Sequence, residues 1–296
     1  MMPQQVAIQG FQGSFHEVAA RQYFGAAPTL APCATFASVV AHVVNGTAEA
    51  GLMAVENSLA GSILPNYLLL ERSSVRITGE VYLPIHQHLL VLPGSTLADI
   101  KAVHSHPMAL RQCNDFLSRY PHWQLVETDD TGRSAQLLAE NQTPGVAVVA
   151  GRQAAEQFGL RVLVPAIHDD PHNYTRFLVL ESTSTAAPVA PVNKASLYFH
   201  TTHQPGSLAR VLTRIAEHGL NLSKLQSCPR VGQPWHYGFH ADVEFDEPTQ
   251  FAALLIELVP FTEALRVLGT YQRGNMAAAM AEPPAPRHAQ PTLLNV

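Results

Sequence analysis

The chain has 296 residues, of which 47% are hydrophobic, and it carries a formal net charge of -5. This length suffices for two domains with sizeable cores, and the hydrophobic content excludes an intrinsically disordered chain. The acidic balance, with no run of lysines and arginines, argues against a nucleic-acid-binding surface.

The N-terminal sequence MMPQQVAIQG has no basic segment followed by a long apolar one, so we expect no signal peptide. No apolar run approaches the ~18 residues of a membrane span, so we expect no membrane partner. The three cysteines, Cys33, Cys113 and Cys228, are widely spaced and fit a reducing compartment better than a disulfide framework. These observations together predict a cytoplasmic protein.

Strand and helix patterns alternate through residues 1–182. In GFQGSFHEVAARQYFG, Ser14 is a predicted N-cap and Glu17 completes a capping box. Further strands are predicted in VAIQG, GLMAVENS, HLLVLPG, KAVHS and GVAVVAG. Further helices are predicted in FASVVAHVVNG, from Pro107, in GRSAQLLAENQ and in RQAAEQFGL. This alternation predicts an α/β fold with a parallel sheet and helices on both faces.

The composition changes after residue 182, where small residues and prolines predict a linker over 183–194. Beyond it the patterns follow the order β-α-β-β-α-β over 195–274, which is the ferredoxin-like arrangement. Residues 275–296 are rich in alanine and proline, and we predict a mobile tail there.

Polar residues cluster where predicted strands end, which is where open α/β sheets bind ligands. Each group has an ordinary structural explanation, such as a tight turn, a helix N-cap or a strand end. Taken jointly they offer neutral hydrogen-bonding groups, without a Cys/His couple, a catalytic triad or a nucleotide fingerprint. Such a site suits a polar, anionic small molecule and no cofactor. The groups are Gly10–Ser14, Glu56-Asn57-Ser58, Ser105 with Gln112, and Thr175-Arg176 at the start of a strand.

Two His-x-His pairs, His86/His88 and His104/His106, could each direct two rings to one face of a strand. No Asp or Glu completes either pair at a recognisable spacing. We therefore expect no metal site.

Four segments, in order, resemble the motifs of prephenate dehydratases. GFQGSFHEVAA is similar to the opening G-x-x-G-[ST] motif, and GLMAVENSLAGSI to the Glu-Asn-Ser-x-x-Gly-Ser signature. SHPMALRQC and NYTRFLVL are similar to the Ser-His-Pro and Thr-Arg-Phe segments. PGSLARVL and LNLSKLQSCP resemble parts of an ACT regulatory module. The resemblance extends over almost the whole chain to Gly274.

This resemblance implies an architecture and an activity. The catalytic region would form two lobes that close like a periplasmic binding protein, 1–80 with 165–182, and 81–164. The expected reaction converts prephenate to phenylpyruvate, water and carbon dioxide. The protein would be a homodimer or homotetramer, with L-phenylalanine feedback through the ACT domain.

The resemblance also implies residue roles. Thr175 would donate a proton to the leaving hydroxyl, with Asn57, Ser105, Gln112 and Glu56 orienting the substrate and the hydrogen-bond network. Arg176 would either offset a substrate carboxylate or anchor the motif structurally. The other substrate-binding candidates are Gly13, Ser14, Ser58 and Phe177. The regulatory candidates are Gly206, Ser207, Leu208, Asn221 and Leu222.

One departure and two alternatives accompany this assignment. ACT modules of this family usually carry Glu-Ser-Arg-Pro where this chain has Gln226-Ser227-Cys228-Pro229, which removes a rigid guanidinium and a charge and leaves the strength of feedback open. The alternatives are a dehydratase that takes arogenate and a non-catalytic, ACT-linked small-molecule sensor.

Overall fold

The computed structural model describes residues 5–25, 28–185 and 191–281. The strands are β1 Gln5–Gln9, β2 Thr29–Cys33, β3 Ala50–Asn57, β4 Gly61–Ser62, β5 Val75–Pro84, β6 His88–Val91, β7 Ala102–Ser105, β8 Gln124–Glu127, β9 Val146–Ala150, β10 Arg161–Val164, β11 Tyr174–Ser182, β12 Lys194–His200, β13 Asn221–Pro229, β14 Tyr237–Glu244 and β15 Ala264–Tyr271. The α-helices are α1 Phe15–Phe24, α2 Phe36–Val44, α3 Leu64–Arg72, α4 Pro107–Arg111, α5 Asn114–Leu117, α6 Thr131–Asn141, α7 Arg152–Phe158, α8 Ser207–Glu217, α9 Pro248–Leu258 and α10 Met276–Ala281. None of these helices is long and apolar enough to cross a membrane.

The first lobe is built on a sheet with strand order β2-β1-β3-β11-β5, and β4 pairs with β3. Strand β1 is parallel to β2 and β3, whereas β11 is antiparallel to both of its neighbours. The prediction of a parallel sheet was therefore wrong for this strand. Strand β11 runs antiparallel to its neighbours because the chain returns from the second lobe and enters the sheet at the end where β3 and β5 leave it.

The second lobe contains the sheet β10-β6-β9-β7-β8, in which β7 is parallel to β8 and β9 and the remaining pairs are antiparallel. Two segments join the lobes, 85–87 and 165–173. The predicted boundary at residue 80 was too early, because β5 stays in the first sheet as far as Pro84. Likewise, the chain re-enters the first sheet at Tyr174 rather than at 165.

The third unit has the predicted βαββαβ order, with sheet order β13-β14-β12-β15 and antiparallel pairing throughout. The linker was predicted to extend to Lys194, but Lys194 is buried and belongs to β12. Residues 276–281 of the predicted tail form α10. The linker residues 186–190 and the tail residues 282–296 lie outside the described residues.

The third unit packs directly on the sheet of the first lobe. Ile77 and Leu178 of the first lobe share one apolar cluster with Leu268 and Tyr271 of the third unit. Gly269 lies so close to Ile77 that a Cβ atom on the glycine would overlap the Ile77 carbonyl. The two units therefore form a continuous core, and a side chain at position 269 would separate them.

Each of the three units contains one histidine whose pKa is lowered to about 4. Burial is the main cause for His16 in the first lobe, His88 in the second and His240 in the third. Nearby Arg152, His86 and His168 lower the pKa of His88 further, whereas Asp242 opposes the effect of burial at His240. These side chains are therefore neutral at neutral pH and have to become charged when the chain unfolds in acid.

We predict that the free energy of unfolding falls as the pH drops from 6.5 towards 4. In this range the unfolded histidines bind protons and the folded ones do not, which favours unfolding by up to about 3 kcal/mol per histidine. Denaturant unfolding at a series of pH values measures the slope. His240→Leu should reduce this slope clearly, and by more than His122→Leu, which replaces a histidine at an exposed position. Equal slopes in the two variants would contradict the assignment.

Candidate active site

A cavity of about 300 Å³ lies between the two lobes and is large enough for a small molecule. Both lobes and the 85–87 connection contribute to its wall. Its polar lining residues are Gln9, Ser14, His16, Asn57, Gln87, His106, Gln112, Asp129, Asp130, Thr131 and Thr175. The cavity thus contains Thr175, Asn57, Gln112, Ser14 and Phe177 from the sequence-based set.

A β-bulge places Asn57 beside Thr175. Thr175 pairs with Asn57 and Arg176 with Glu56, but Phe177 pairs with Ala54, so Val55 is the extra residue. Side chains alternate between the two faces of a strand, and an extra residue reverses the alternation beyond it. Asn57 therefore shares the cavity face with Thr175, while Glu56 and Arg176 share the opposite face.

The hydrogen bonds of Asn57 determine whether the Thr175 hydroxyl donates or accepts a hydrogen bond at the cavity wall. Asn57 Oδ1 accepts from the backbone N–H groups of Leu59 (3.0 Å) and Ala60 (2.9 Å). This fixes the amide so that Nδ2 donates one N–H to Asn173 Oδ1 at 2.7 Å and shares the other between Thr175 Oγ1 and the Tyr174 carbonyl, each at 3.1 Å. Because Thr175 Oγ1 accepts from Asn57, its own O–H is left to donate elsewhere. The arrangement prepares a hydrogen-bond donor at the cavity wall.

Three of the predicted residues use their polar groups in the scaffold instead. The Ser105 hydroxyl is buried and donates to the Val149 carbonyl at 2.6 Å, inside the second sheet. The Ser58 hydroxyl donates to the His172 carbonyl at 2.8 Å and joins the end of β3 to the 165–173 connection. The Gly13 amide donates to Glu17 Oε2 at 2.7 Å. The structure does not bring these three groups to the cavity.

From the sequence alone, the Gly10–Ser14 loop could offer free amides and a helix N-terminus to an anion. The Gly10 amide instead donates to the Cys33 carbonyl and the Ser14 amide to the Phe11 carbonyl. Ser14 is the N-cap of α1, as predicted, and its hydroxyl accepts from Glu17. The loop mainly closes the first turn of α1, and the Ser14 side chain faces the cavity.

Arg176 and Glu56 both face the third unit. Arg176 forms ion pairs with Glu80 at 2.7 Å and with Asp242 at 2.5 Å, and all three side chains are almost fully buried. Glu56 pairs with Lys224 at 2.6 Å. Of the two roles expected for Arg176, the geometry supports the structural anchor. Glu56 is a contact between the first lobe and the third unit and does not line the cavity, so the geometry does not support its expected catalytic role.

The buried charges at this interface remain ionised. Burial acts to lower the pKa of Arg176, but the charges of Asp242 and Glu80 outweigh it and hold the pKa well above its usual range. Burial acts to raise the pKa of Asp242, and Arg176 outweighs that effect and lowers it. Lys194 pairs with Glu80 at 3.0 Å and also has a raised pKa. Arg176, Asp242 and Lys194 therefore keep their charges over the physiological range.

Sequence reasoning missed several residues of the cavity, notably His16, Gln87 and Asp130. Asp129 and Asp130 follow β8, so the rule that ligands lie beyond strand ends would have found them had β8 been predicted. Gln87 lies in the 85–87 connection, and its role follows only from the placement of the two lobes. Among the described residues, no group of three or more His, Cys, Asp or Glu side chains is placed to hold a metal ion.

The two-lobed α/β fold, with a cavity between the lobes and an attached ferredoxin-like unit, is that of a protein that binds a small molecule between two lobes. The prephenate dehydratase family model matches residues 6–185. The chain therefore belongs to the prephenate dehydratase family.

Relatives and solved structures agree with this family. The chain is 33% identical over 278 residues to a bifunctional chorismate mutase/prephenate dehydratase of Enterobacter agglomerans, covering 93% of this chain and 72% of that protein. It is 35% identical over 283 residues to arogenate dehydratase 1 of Petunia hybrida, covering 90% and 66%. The prephenate dehydratase of Arthrobacter aurescens in complex with L-Phe superposes with a TM-score of 0.81 at 30% identity, covering 95% and 93%.

We predict that Asn57→Asp lowers kcat by at least about 100-fold. The carboxylate keeps the shape and the acceptor for Leu59 and Ala60, but it cannot donate to Thr175 and instead accepts the hydroxyl proton. Steady-state kinetics with prephenate measures the effect. Glu56→Gln, one residue away on the other face, should lower kcat by less than about 5-fold, and similar losses in the two variants would contradict the geometry.

Proposed function

We propose that this protein converts prephenate to phenylpyruvate, with Thr175 as the proton donor. The observation that carries the proposal is the Asn57–Thr175 hydrogen bond, which leaves the threonine O–H available at the cavity wall. Family membership supports the reaction. The expectation of a cytoplasmic location stays a prediction.

The reaction breaks two bonds that join ring carbons to their substituents. The C–C bond to the ring carboxylate breaks, carbon dioxide leaves, and the electron pair completes the aromatic ring. The C–O bond to the ring hydroxyl breaks, and the departing hydroxide takes a proton and leaves as water. Formation of the aromatic ring supplies the driving force, so the enzyme mainly has to assist the leaving hydroxide.

Thr175 supplies that assistance. A threonine hydroxyl is a weak acid, so proton transfer is concerted with C–O cleavage and the proton is replaced from solvent. General acid help of this kind contributes roughly 10²–10⁴-fold. Asn57 orients the hydroxyl, Gln112 contributes from the second lobe, and Phe177 offers an apolar surface beside the threonine. Closure of the lobes keeps bulk water from the reacting groups.

We predict that Thr175→Val lowers kcat by more than about 100-fold with little change in stability. Valine has a similar shape and strand preference but lacks the hydroxyl. Phenylpyruvate formation from prephenate and thermal unfolding are measured together. Wild-type turnover by a folded variant would remove Thr175 from the mechanism.

Regulation by L-phenylalanine through the third unit is the second part of the proposal. The related Arthrobacter enzyme was solved in complex with L-Phe. Gly206, Ser207 and Leu208 begin α8, whereas Asn221 and Leu222 follow its other end. An 11-residue helix is about 16 Å long, so both groups can contact one phenylalanine only if a second copy contributes. This spacing supports the expected homodimer or homotetramer.

The buried ion pairs of Arg176 provide the route from the third unit to the active site. Arg176 follows Thr175 in β11, and its partner Asp242 lies in β14 of the third unit. A shift of β14 pulls on β11 and changes the position of the Thr175 hydroxyl. Cys228 is buried in the core shared by the two units, at the position where related modules usually carry arginine. The feedback site therefore differs here from the common form, although the ionic route does not depend on Cys228.

We predict that Asp242→Asn raises the phenylalanine concentration for half-maximal inhibition by at least about 10-fold, because the variant loses the charge that couples β14 to Arg176. Phenylalanine should still raise the melting temperature, because the variant leaves the expected phenylalanine contacts intact. Asp246→Asn, at an exposed position of the same domain, is the matched control. Normal inhibition of the Asp242 variant would exclude this route.

A further inference from the structure

A second cavity, of about 350 Å³, also has walls from both lobes. Phe15 is the one described residue that lines both cavities, so the two are separate sites. Side chains of an extended segment point alternately to opposite sides. Ile85 and Gln87 of the segment between the lobes line the first cavity. The side chains of this segment and its flanks that line the second cavity are Leu83, Pro84, His86 and His88.

His88 offers a fixed hydrogen-bond donor to the second cavity. Its side chain is 4% exposed, and its Nδ1 atom accepts from the Ala166 amide at 2.9 Å. Burial, followed by the charge of Arg152, lowers the pKa of His88 to about 4, so the ring is neutral. A neutral imidazole that accepts at Nδ1 carries its hydrogen on Nε2. This Nε2–H group donates to no described residue and is therefore left for a ligand.

Arg152 adds a positive charge to the same wall. Its side chain begins α7, is exposed, and forms no ion pair with any residue that the structure describes. Glu156, one turn further along α7, lines the cavity without pairing with Arg152. A guanidinium and a neutral N–H donor that face one space match a carboxylate, which accepts hydrogen bonds from both.

The remaining wall of the second cavity is largely apolar. It would accept a hydrocarbon group of the ligand, and the volume suits a small organic molecule. A fully polar anion such as phosphate would leave this surface without a partner. The apolar side chains are Phe15, Val18, Leu83 and Pro84.

We propose that the second cavity binds a small monocarboxylate with an apolar body. The carboxylate would accept hydrogen bonds from Arg152 and from His88 Nε2, and the body would lie against the apolar wall. Such a ligand would contact both lobes and the segment between them, so its binding would resist movement of one lobe against the other. The site does not depend on the chemistry at Thr175.

Calorimetric titration with 3-phenylpropanoate tests the proposal, with 3-phenylpropanol as the uncharged counterpart. The acid should bind saturably with a Kd of about 1 mM or tighter, and the alcohol should bind at least about 10-fold more weakly. Arg152→Gln should weaken binding of the acid at least about 10-fold, because a charged hydrogen bond is lost. Arg119→Gln, at an exposed position of the same lobe, should not change it. Glu156→Gln removes a nearby negative charge and should not weaken binding.

Thr175→Val locates the bound acid, because Thr175 lines only the first cavity. This variant should bind 3-phenylpropanoate with wild-type affinity. Equal affinity of wild-type protein and Arg152→Gln would overturn the proposal, as would equal binding of acid and alcohol. Absence of saturable binding at millimolar concentrations would do the same. Loss of binding in Thr175→Val alone would assign the acid to the first cavity and would also overturn it.

Discussion

The rest of the structure depends on the ion pairs and hydrogen bonds of the Glu80 carboxylate. This group is buried between the first lobe and the third unit. It accepts from Arg176 Nε at 2.8 Å, from Lys194 Nζ at 3.0 Å and from the Gly274 amide at 2.9 Å. A carboxylate without partners in such a place would cost several kcal/mol. The third unit supplies two of these donors and the Asp242 charge that completes the pairing of Arg176. The two units therefore have to dock for the charges to balance.

The ion pairs of Arg176 are close to the cavity because successive side chains of β11 point to opposite faces of the sheet. Thr175 faces the cavity between the lobes and Arg176 faces the third unit, so one peptide unit separates the Thr175 hydroxyl from the buried ionic cluster. The bulge at Val55 is needed for the same reason, because it puts Asn57 on the face of Thr175 and Glu56 on the face of Arg176. The cavity wall and the contact with the third unit thus share β3 and β11.

Much of this organisation could be predicted from the sequence. Physical reasons explain why the remaining features could not. Strong periodic patterns predicted α8, the βαββαβ order and the start of β11 near Thr175. A bulge leaves no periodic signal, which is why Glu56 and Asn57 could not be separated. Ser105 is the last residue of β7, where a ligand-binding residue is expected, but its hydroxyl is used within the second sheet. Residues such as Gln87 enter the cavity only once the two lobes are placed against each other, and no local pattern reports this.

The most direct test of the account is hydrogen exchange of the backbone amides in wild-type protein and in Asp242→Asn. If the third unit holds the catalytic strand through Arg176, the variant should lose protection in 174–182 and in 75–84, while β6 and β9 of the second lobe keep theirs. Loss of protection confined to 194–271 would contradict the claim that the ionic cluster connects the third unit to the active site.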